Sequence, residues 1–145
     1  MILIGGYALL CGVLYSTQEN LLFFPSKTPK DYRYRFAENF EELDFEVEKG
    51  VLLNALLFKT KKQVRKGVVL FLHGNGGAIE GWGEGAWLYT QNAYDVLYLD
   101  YRSYGKSGGK ISSENQLVDD AQVAYDYLKE RYGEEQIVVS GTSMG

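Results

Sequence analysis

Hydrophobic and polar side chains alternate along residues 43–48. Three apolar side chains fall on one face of this segment, and acidic side chains occupy the positions between them. This period of two is that of a strand with one buried face. Lys49 and Gly50 form a turn signal, and residues 51–58 continue as a second apolar segment. The pattern therefore predicts an antiparallel hairpin over residues 43–58.

Three short apolar runs follow the hairpin, and none of them alternates. They lie at residues 67–72, at 96–99 within the segment 94–100, and at 137–139. Continuous runs of this length are typical of parallel strands that are covered on both faces. Two helical stretches separate the runs. The order of elements thus predicts an α/β chain, in which the antiparallel hairpin leads into a parallel sheet with flanking helices.

The two helical stretches differ in clarity. Residues 113–132 place apolar side chains at helical spacing, Ser113 and Gln116 fit a capping box, and Gly133 is a natural stop. Residues 78–92 contain three glycines, which disfavour a helix. We therefore expect irregular structure first in that stretch and a helix over its second half.

The N-terminus is apolar and carries no charge before Glu19. A helix that spans a bilayer needs roughly 17–20 apolar residues, and this segment is close to that limit. It predicts a single-pass membrane anchor over residues 1–20, with the side of the membrane left open. The alternative is a buried or surface-seeking apolar segment. Residues 21–40 are then a connector whose aromatic side chains pack on the domain, and residues 41–145 form the α/β domain.

Composition limits the partners and the kinds of site that are expected for this chain. The formal net charge is -4 and the pI is near 5.0, which disfavours a nucleic-acid partner because phosphate binding needs clustered positive charge. Cys11 is the single cysteine, so neither an internal disulfide nor a cysteine-based metal site is expected. His73 is the single histidine. We predict neither a metal nor a cofactor.

The last five residues, GTSMG, place Ser143 in a G-x-S-x-G pattern directly after the third apolar run. A serine in this context sits on a sharp turn from strand to helix, with its hydroxyl exposed. Gly141 and Gly145 are expected to be structural, because a Cβ at either flank would clash as the chain reverses. The alternative is an ordinary glycine-rich turn. The position after a strand favours Ser143 as a catalytic nucleophile.

A second glycine-rich segment follows the first apolar run and reads His73-Gly74-Asn75-Gly76-Gly77. Acyl transfer develops negative charge on the carbonyl oxygen, and main-chain N–H groups aimed at that oxygen stabilise it by about 3 kcal/mol each. One donor is expected from Met144, the residue after the serine, and another from Asn75 or Gly76. His73 and Gly74 are expected to shape the turn. An ordinary glycine-rich turn onto a helix is the alternative.

Four motifs together resemble the BEM46/ABHD13 type of membrane-anchored α/β-hydrolase. In this sequence they read LLFFP at 21–25, HGN at 73–75, DYRSYGKS at 100–107 and GTSMG at 141–145. The resemblance implies the N-terminal part of an α/β-hydrolase fold, preceded by an apolar anchor helix. It also implies that Ser143 is the nucleophile and that the N–H groups of Asn75 and Met144 form the oxyanion hole. Ser103 stands where the family commonly has glycine.

The resemblance implies hydrolysis of an ester or thioester of a small or lipid-like acyl substrate. It assigns no catalytic role to Asp100, Arg102 or Ser107, for which loop-fixing hydrogen bonds are expected. In this fold the catalytic acid and then the histidine follow the serine along the chain. Here only Met144 and Gly145 follow it.

A serine without a base is a weak nucleophile, and His73 is expected to serve the turn and not the proton transfer. Two hypotheses follow. In the first, the sequence is a fragment of a serine hydrolase that is inactive by itself, and a complementing C-terminal chain could restore it. In the second, it is a non-catalytic, membrane-anchored binding protein.

Overall fold

The fold is built on one mixed β-sheet with helices on both faces, and the computed structural model describes residues 2–145. The strands are β1 (Phe40–Glu48), β2 (Val51–Phe58), β3 (Gly67–Leu72), β4 (Tyr94–Leu99) and β5 (Ile137–Gly141). The helices are α1 (Ile2–Leu22), α2 (Ile79–Trp82), α3 (Trp87–Thr90) and α4 (Glu114–Tyr132), with 3-10 turns at Gly83–Ala86 and Glu134–Gln136.

The sheet has the strand order β1-β2-β4-β3-β5. β1 pairs with β2 and β2 with β4 in antiparallel fashion, whereas β3 pairs with β4 and with β5 in parallel. The predicted hairpin and the predicted parallel strands are thus confirmed. The carboxyl ends of β3, β4 and β5 lie at one edge of the sheet, so the loops that follow these strands lie near one another.

The central strands are buried on both faces, which explains their continuous apolar runs. In β3, Val68 and Leu70 pack with α4 on one face, while Val69 and Phe71 pack with α2 on the other. Strand β1 of the hairpin instead alternates, because Phe45 is buried and its neighbours in sequence are exposed. Burial on one or two faces therefore accounts for the two kinds of pattern in the sequence.

Helix α4 begins and ends at signals that the sequence carries. The Ser113 hydroxyl accepts a hydrogen bond from the Gln116 main-chain N–H at 3.2 Å, and Gly133 ends the helix at a φ of 82°. The side chain of Gln116 accepts from the N–H of Ser112 at 2.9 Å, one residue before the position that a capping box would use. The helix boundary is confirmed, and the reciprocal partner differs by one residue.

The segment 78–92 is helical along nearly its whole length, in three short pieces. The expectation of irregular structure in its first half is therefore wrong. Gly83 explains the difference, because a Cβ at this position would lie 2.8 Å from the Phe36 ring and 3.1 Å from the Phe58 ring. The glycine permits close packing on the aromatic core, and that tertiary contact overrides its low helix propensity.

Helix α1 carries exposed apolar side chains. Ile4, Tyr7, Leu9 and Tyr15 are at least 70% exposed, so these side chains do not pack on the domain. Among the helices of residues 2–145, none combines the length and the apolar character needed to cross a membrane. Met1, the first residue of the predicted anchor, lies outside the described residues.

Candidate active site

Ser143 lies on a tight turn that begins where β5 ends. The N–H of Thr142 donates to the carbonyl of Leu72 at 3.1 Å, so the pairing of β5 with β3 extends one residue beyond Gly141. Ser143 then takes a φ of 57°, in the left-handed region that side-chain-bearing residues seldom adopt. The N–H of Gly145 donates back to Thr142 at 3.1 Å and closes the turn. Such strain at an exposed serine is typical of functional sites.

The two glycines that flank the serine have no room for a side chain. A Cβ on Gly141 would overlap the main chain of Gly145, and a Cβ on Gly145 would overlap the carbonyl oxygen of Leu72. The chain reversal therefore brings main chain directly against main chain. This geometry explains the G-x-S-x-G spacing, because a Cβ at either glycine would clash where the chain reverses.

The loop after β3 lies directly beside the serine turn. A Cβ on Gly74 would lie 3.5 Å from the Cβ of Ser143 and 3.2 Å from the carbonyl oxygen of Thr142. Gly76 and Gly77 both have positive φ, at 91° and 77°. The structure thus brings the two glycine-rich segments together, with the serine at their junction. The roles of Asn75, Gly76 and Met144 as oxyanion donors stay predictions.

His73 is buried at the base of this loop and is enclosed by aromatic rings. Its ring centroid lies 4.6 Å from that of Tyr101, 5.2 Å from that of Tyr104 and 6.1 Å from that of Trp82. Its Nδ1 lies 2.8 Å from the carbonyl oxygen of Gly74. The polar contacts of the His73 ring in the described chain are with Gly74 and Asp100, and not with the Ser143 hydroxyl. These contacts favour a role for His73 in shaping the turn.

Asp100, at the end of β4, is the buried partner of His73. Its Oδ1 accepts the main-chain N–H of Ile79 at 2.9 Å and lies 3.3 Å from Nε2 of His73. That last contact is within ion-pair range but lacks hydrogen-bond geometry, which leaves Nε2 of His73 without a hydrogen-bond partner in the described chain. The other carboxylate oxygen, Oδ2 of Asp100, has none there either. Burial raises the pKa of Asp100, and the neighbouring His73 opposes that rise.

The other polar residues of the 100–107 loop hold the loop in place. The Ser107 hydroxyl donates to the Asp100 carbonyl at 2.7 Å and accepts the N–H of Asn54 at 2.8 Å. Arg102 forms a two-pronged bond with Asp120 of α4, at 2.7 and 3.0 Å. The hydrogen bonds that Arg102 donates to Asp120 raise the pKa of Arg102, and they outweigh the opposing effect of burial. The geometry agrees with the loop-fixing roles expected for these side chains.

The connector contacts the site through its main chain, which the sequence did not reveal. Residues 24–28 run beside the loops at 75–77 and 104–107 and form isolated β-bridges at Pro25–Gly77 and Lys27–Gly105. The Phe24 side chain is 63% exposed, so the expectation that the connector's aromatic residues pack on the domain is wrong for this residue. Tyr34 and Phe36, farther along, do pack in the core.

An uncovered cleft of about 340 Å³ lies next to the serine turn, between α4 and the edge strand β5. Met144 and Gly145 line it together with apolar side chains of β3, β5 and α4, among them Leu72, Val139 and Leu117. Val139 is 55% exposed. The edge strand β5 thus exposes apolar surface in the described chain.

Although the net charge is negative, the chain contains one cluster of basic residues. Five of the eight residues in the loop between β2 and β3, at 59–66, are basic. Lys59 pairs with Glu41 at 3.5 Å, and Arg65 pairs with Asp95 at 3.1 Å. The loop precedes β3, so it lies at the opposite end of the sheet from Ser143. It forms no part of the candidate site, and the absence of a nucleic-acid partner stays a prediction.

Comparison with protein families places these residues in a known context. The family model described as serine aminopeptidase, S33 (Hydrolase_4) matches residues 63–145. This chain belongs to that family of α/β-hydrolases. The matched region contains both glycine-rich segments and the 100–107 loop.

Curated relatives extend the similarity to the whole chain. The α/β-hydrolase domain-containing protein WAV2 of Arabidopsis thaliana is 32% identical over 152 residues, which cover 99% of this chain and 48% of WAV2. Protein bem46 of Schizosaccharomyces pombe is 29% identical over 144 residues, and this match covers 92% of this chain and 48% of bem46. The resemblance to BEM46-type α/β-hydrolases is thus confirmed.

A shorter match relates the chain to the lysophosphatidylserine lipase ABHD12 of Danio rerio, at 36% identity over 54% of this chain and 21% of that protein. The chain therefore spans about half the length of WAV2 and bem46, and a smaller part of ABHD12.

Solved structures agree on the fold. The Pyrococcus furiosus esterase Pf2001 superposes with a TM-score of 0.60 at 24% identity, covering 83% of this chain and 49% of the esterase. The Butyrivibrio proteoclasticus protein Est1E, solved with ferulic acid, gives a TM-score of 0.62 at 23% identity, covering 71% of this chain and 43% of Est1E. The α/β-hydrolase fold is therefore shown for the described chain.

Proposed function

We propose that this chain supplies the nucleophile and the oxyanion site of a serine hydrolase that cleaves acyl esters or thioesters. The observation that carries the proposal is the left-handed Ser143, held on a closed turn against Gly74 of the loop after β3. An exposed serine beside main-chain N–H groups has the arrangement that acyl transfer requires.

In the proposed reaction, the Ser143 oxygen attacks the carbonyl carbon of the substrate while a base removes the hydroxyl proton. Charge moves to the carbonyl oxygen, where the N–H groups of Asn75 and Met144 stabilise it. The bond to the leaving alkoxide or thiolate then breaks, the leaving group takes up a proton, and an acyl-enzyme remains on Ser143. A water molecule then attacks the acyl-enzyme while the base takes its proton. The bond to Ser143 breaks, the serine oxygen regains a proton, and the acid is released.

The base is the part of this reaction that His73 does not supply. His73 is the one histidine of the 145 residues, and its ring is fully buried beside Asp100. We propose that the histidine and its acidic partner come from polypeptide beyond these residues, as a continuation or as a complementing chain.

The substrate is proposed to be an ester with an apolar acyl group. ABHD12, to which 54% of this chain is similar, is a lysophosphatidylserine lipase by name. We also propose that residues 1–20 act as a membrane-binding helix, joined by the connector 21–40 to the α/β domain at 41–145. The exposed apolar side chains of α1 support a membrane contact of this helix.

A chimera tests the nucleophile directly. The 145-residue chain is fused to the part of WAV2 that lies beyond the region matched here, and the product is treated with a fluorophosphonate probe. We expect stoichiometric labelling on Ser143, hydrolysis of p-nitrophenyl esters, and loss of both in Ser143→Ala. A cooperatively melting chimera that is neither labelled nor active would refute the proposal and favour a non-catalytic binding protein.

A flotation assay with lipid vesicles tests the membrane contact. Leu10 and Leu14, which are 56% and 49% exposed on α1, are changed together to Glu. We expect the unmodified chain to float with the vesicles and the double variant to stay in the soluble fraction. Val64→Glu is the matched control, because Val64 is 78% exposed but lies in the β2–β3 loop. Equal flotation of all three proteins would contradict the proposal.

A further inference from the structure

The segment that joins α1 to the domain crosses the candidate site as a strap of residues 24–28. Its main chain bonds to the 104–107 loop, where Gly105 donates to Ser26 at 2.7 Å and Thr28 donates to Gly105 at 3.1 Å. A parallel bridge also joins Pro25 to Gly77. The strap therefore touches both the loop that follows β3 and the loop that follows β4.

One side chain joins these three segments. Oδ1 of Asn75 accepts the main-chain N–H of Phe24 at 2.9 Å and the Tyr104 hydroxyl at 2.9 Å. Because a main-chain N–H can only donate, the atom that faces it must be the amide oxygen, and this contact fixes the orientation of the Asn75 side chain. Strap, β3 loop and β4 loop thus meet at a single carbonyl oxygen.

The neighbouring amides meet at the same place. Burial raises the pKa of Tyr104, whereas the main-chain N–H groups of Gly76 and Phe24 act to lower it. The Tyr104 hydroxyl therefore lies beside the amides of both the strap and the β3 loop. The Gly76 carbonyl is held separately, since it accepts the indole N–H of Trp82 at 3.1 Å.

We infer that Asn75 is a positioning residue, whose side-chain carbonyl latches the strap onto the β3 loop and so fixes the aim of the main-chain amides at 75–76. Its consequence for catalysis rests on the proposed function, whereas the latch itself does not. Glycines at 74, 76 and 77 give the main chain of this loop a wide choice of conformations, so its contacts must fix the one it adopts. The residue that offers its amide to the substrate is then held in place by its own side chain.

Amide hydrogen exchange, followed by mass spectrometry on the 145-residue chain, tests the latch without any need for catalysis. Asn75→Leu removes the shared acceptor, and we expect the amides of 24–28 and 75–77 to exchange about tenfold faster, as for the loss of one to two hydrogen bonds. Asn75→Asp keeps an acceptor oxygen and should restore protection to within about threefold of the unmodified chain. Tyr104→Phe removes one of the two donors, and its exchange rates should lie between those of Asn75→Leu and Asn75→Asp.

Tyr101→Phe is the matched control. Its hydroxyl donates to the His73 carbonyl at 3.1 Å, in the same loop, but it does not contact the strap. We expect unchanged exchange at 24–28 in this variant. Equal exchange in Asn75→Leu and the unmodified chain, a failure of Asn75→Asp to restore protection, or the same increase in Tyr101→Phe would each overturn the latch.

Exchange in β4 reports whether a variant has unfolded as a whole. If Asn75→Leu also loses protection there, the milder Tyr104→Phe decides the question by whether its increase is confined to the strap and the β3 loop. In the chimera, Asn75→Asp should keep more of the ester hydrolysis than Asn75→Leu, and the difference should lie in kcat and not in KM. A confirmed latch in an inactive chimera would refute the proposed function alone.

Discussion

Removal of the Asp120 carboxylate should destabilise this domain strongly, because it breaks a buried ion pair. The side chains of Arg102 and Asp120 are 4% and 3% exposed, and two hydrogen bonds join them. When one partner of a buried pair is removed, the other charge is left without compensation, at a cost of about 3–5 kcal/mol. Glu48, which is 56% exposed and lies 3.0 Å from the guanidinium, offers partial compensation.

We therefore expect Asp120→Ala to lower the free energy of unfolding by about 3 kcal/mol, the lower end of that range. For a domain of this size the melting temperature should fall by about 6–12 °C. Urea unfolding followed by circular dichroism measures the change. Glu134→Gln is the control, because the Lys129–Glu134 pair is 49% and 60% exposed and should leave the midpoint unchanged.

A double variant separates the worth of the pair from the penalty of an orphaned charge. Arg102→Met combined with Asp120→Leu removes both charges, and we expect it to be more stable than Asp120→Ala. A loss below about 1 kcal/mol in Asp120→Ala would refute the reasoning. Strict additivity of the stability losses of Arg102→Met and Asp120→Leu, each measured alone, would refute it as well, since residues in direct contact should couple.

Three further changes test other parts of the structure. Gly105→Ala should abolish stable folding, because its φ is 47° and a Cβ would overlap the Asp100 carboxylate; soluble, cooperatively melting protein would contradict this. Burial raises the pKa of Asp100, so the unmodified chain should lose stability relative to Asp100→Asn as the pH rises above about 4. Urea unfolding of both proteins at several pH values measures this loss. A difference in their stabilities that does not change with pH would contradict the raised pKa. Ser113→Ala removes the cap of α4 and should cost about 1 kcal/mol in urea unfolding, whereas Ser112→Ala, which leaves the Ser113 hydroxyl in place, should cost less.

The features that the sequence predicts well are those set by local chemistry. Alternation identifies the hairpin, continuous apolar runs identify the parallel strands, and the glycines beside Ser143 identify the turn. Each of these depends on residues close together in the chain. The strand order and the contact of Gly74 with Ser143 then follow from parallel pairing, which brings the carboxyl ends of β3 and β5 to one edge.

The features that the sequence did not reveal depend on distant partners. The strap binds through main-chain groups, which every residue carries, so no side-chain pattern marks it. The Arg102–Asp120 pair does leave a signal. Asp120 lies on the same helical face as Leu117 and Ala124, and an acidic residue on a buried face requires a cation nearby. The helical structure at 79–86 also depends on distant partners, because Gly83 packs closely on Phe36 and Phe58.

In the proposed function, Ser143 presents its hydroxyl to main-chain amides of the β3 loop and of its own turn. A crystal structure of the chimera after reaction with the fluorophosphonate tests this most directly. We predict a phosphonyl group on the Ser143 oxygen, with one phosphonyl oxygen about 2.7–3.1 Å from the N–H nitrogens of both Asn75 and Met144. An adduct on another residue, or a phosphonyl oxygen turned away from both amides, would contradict the account.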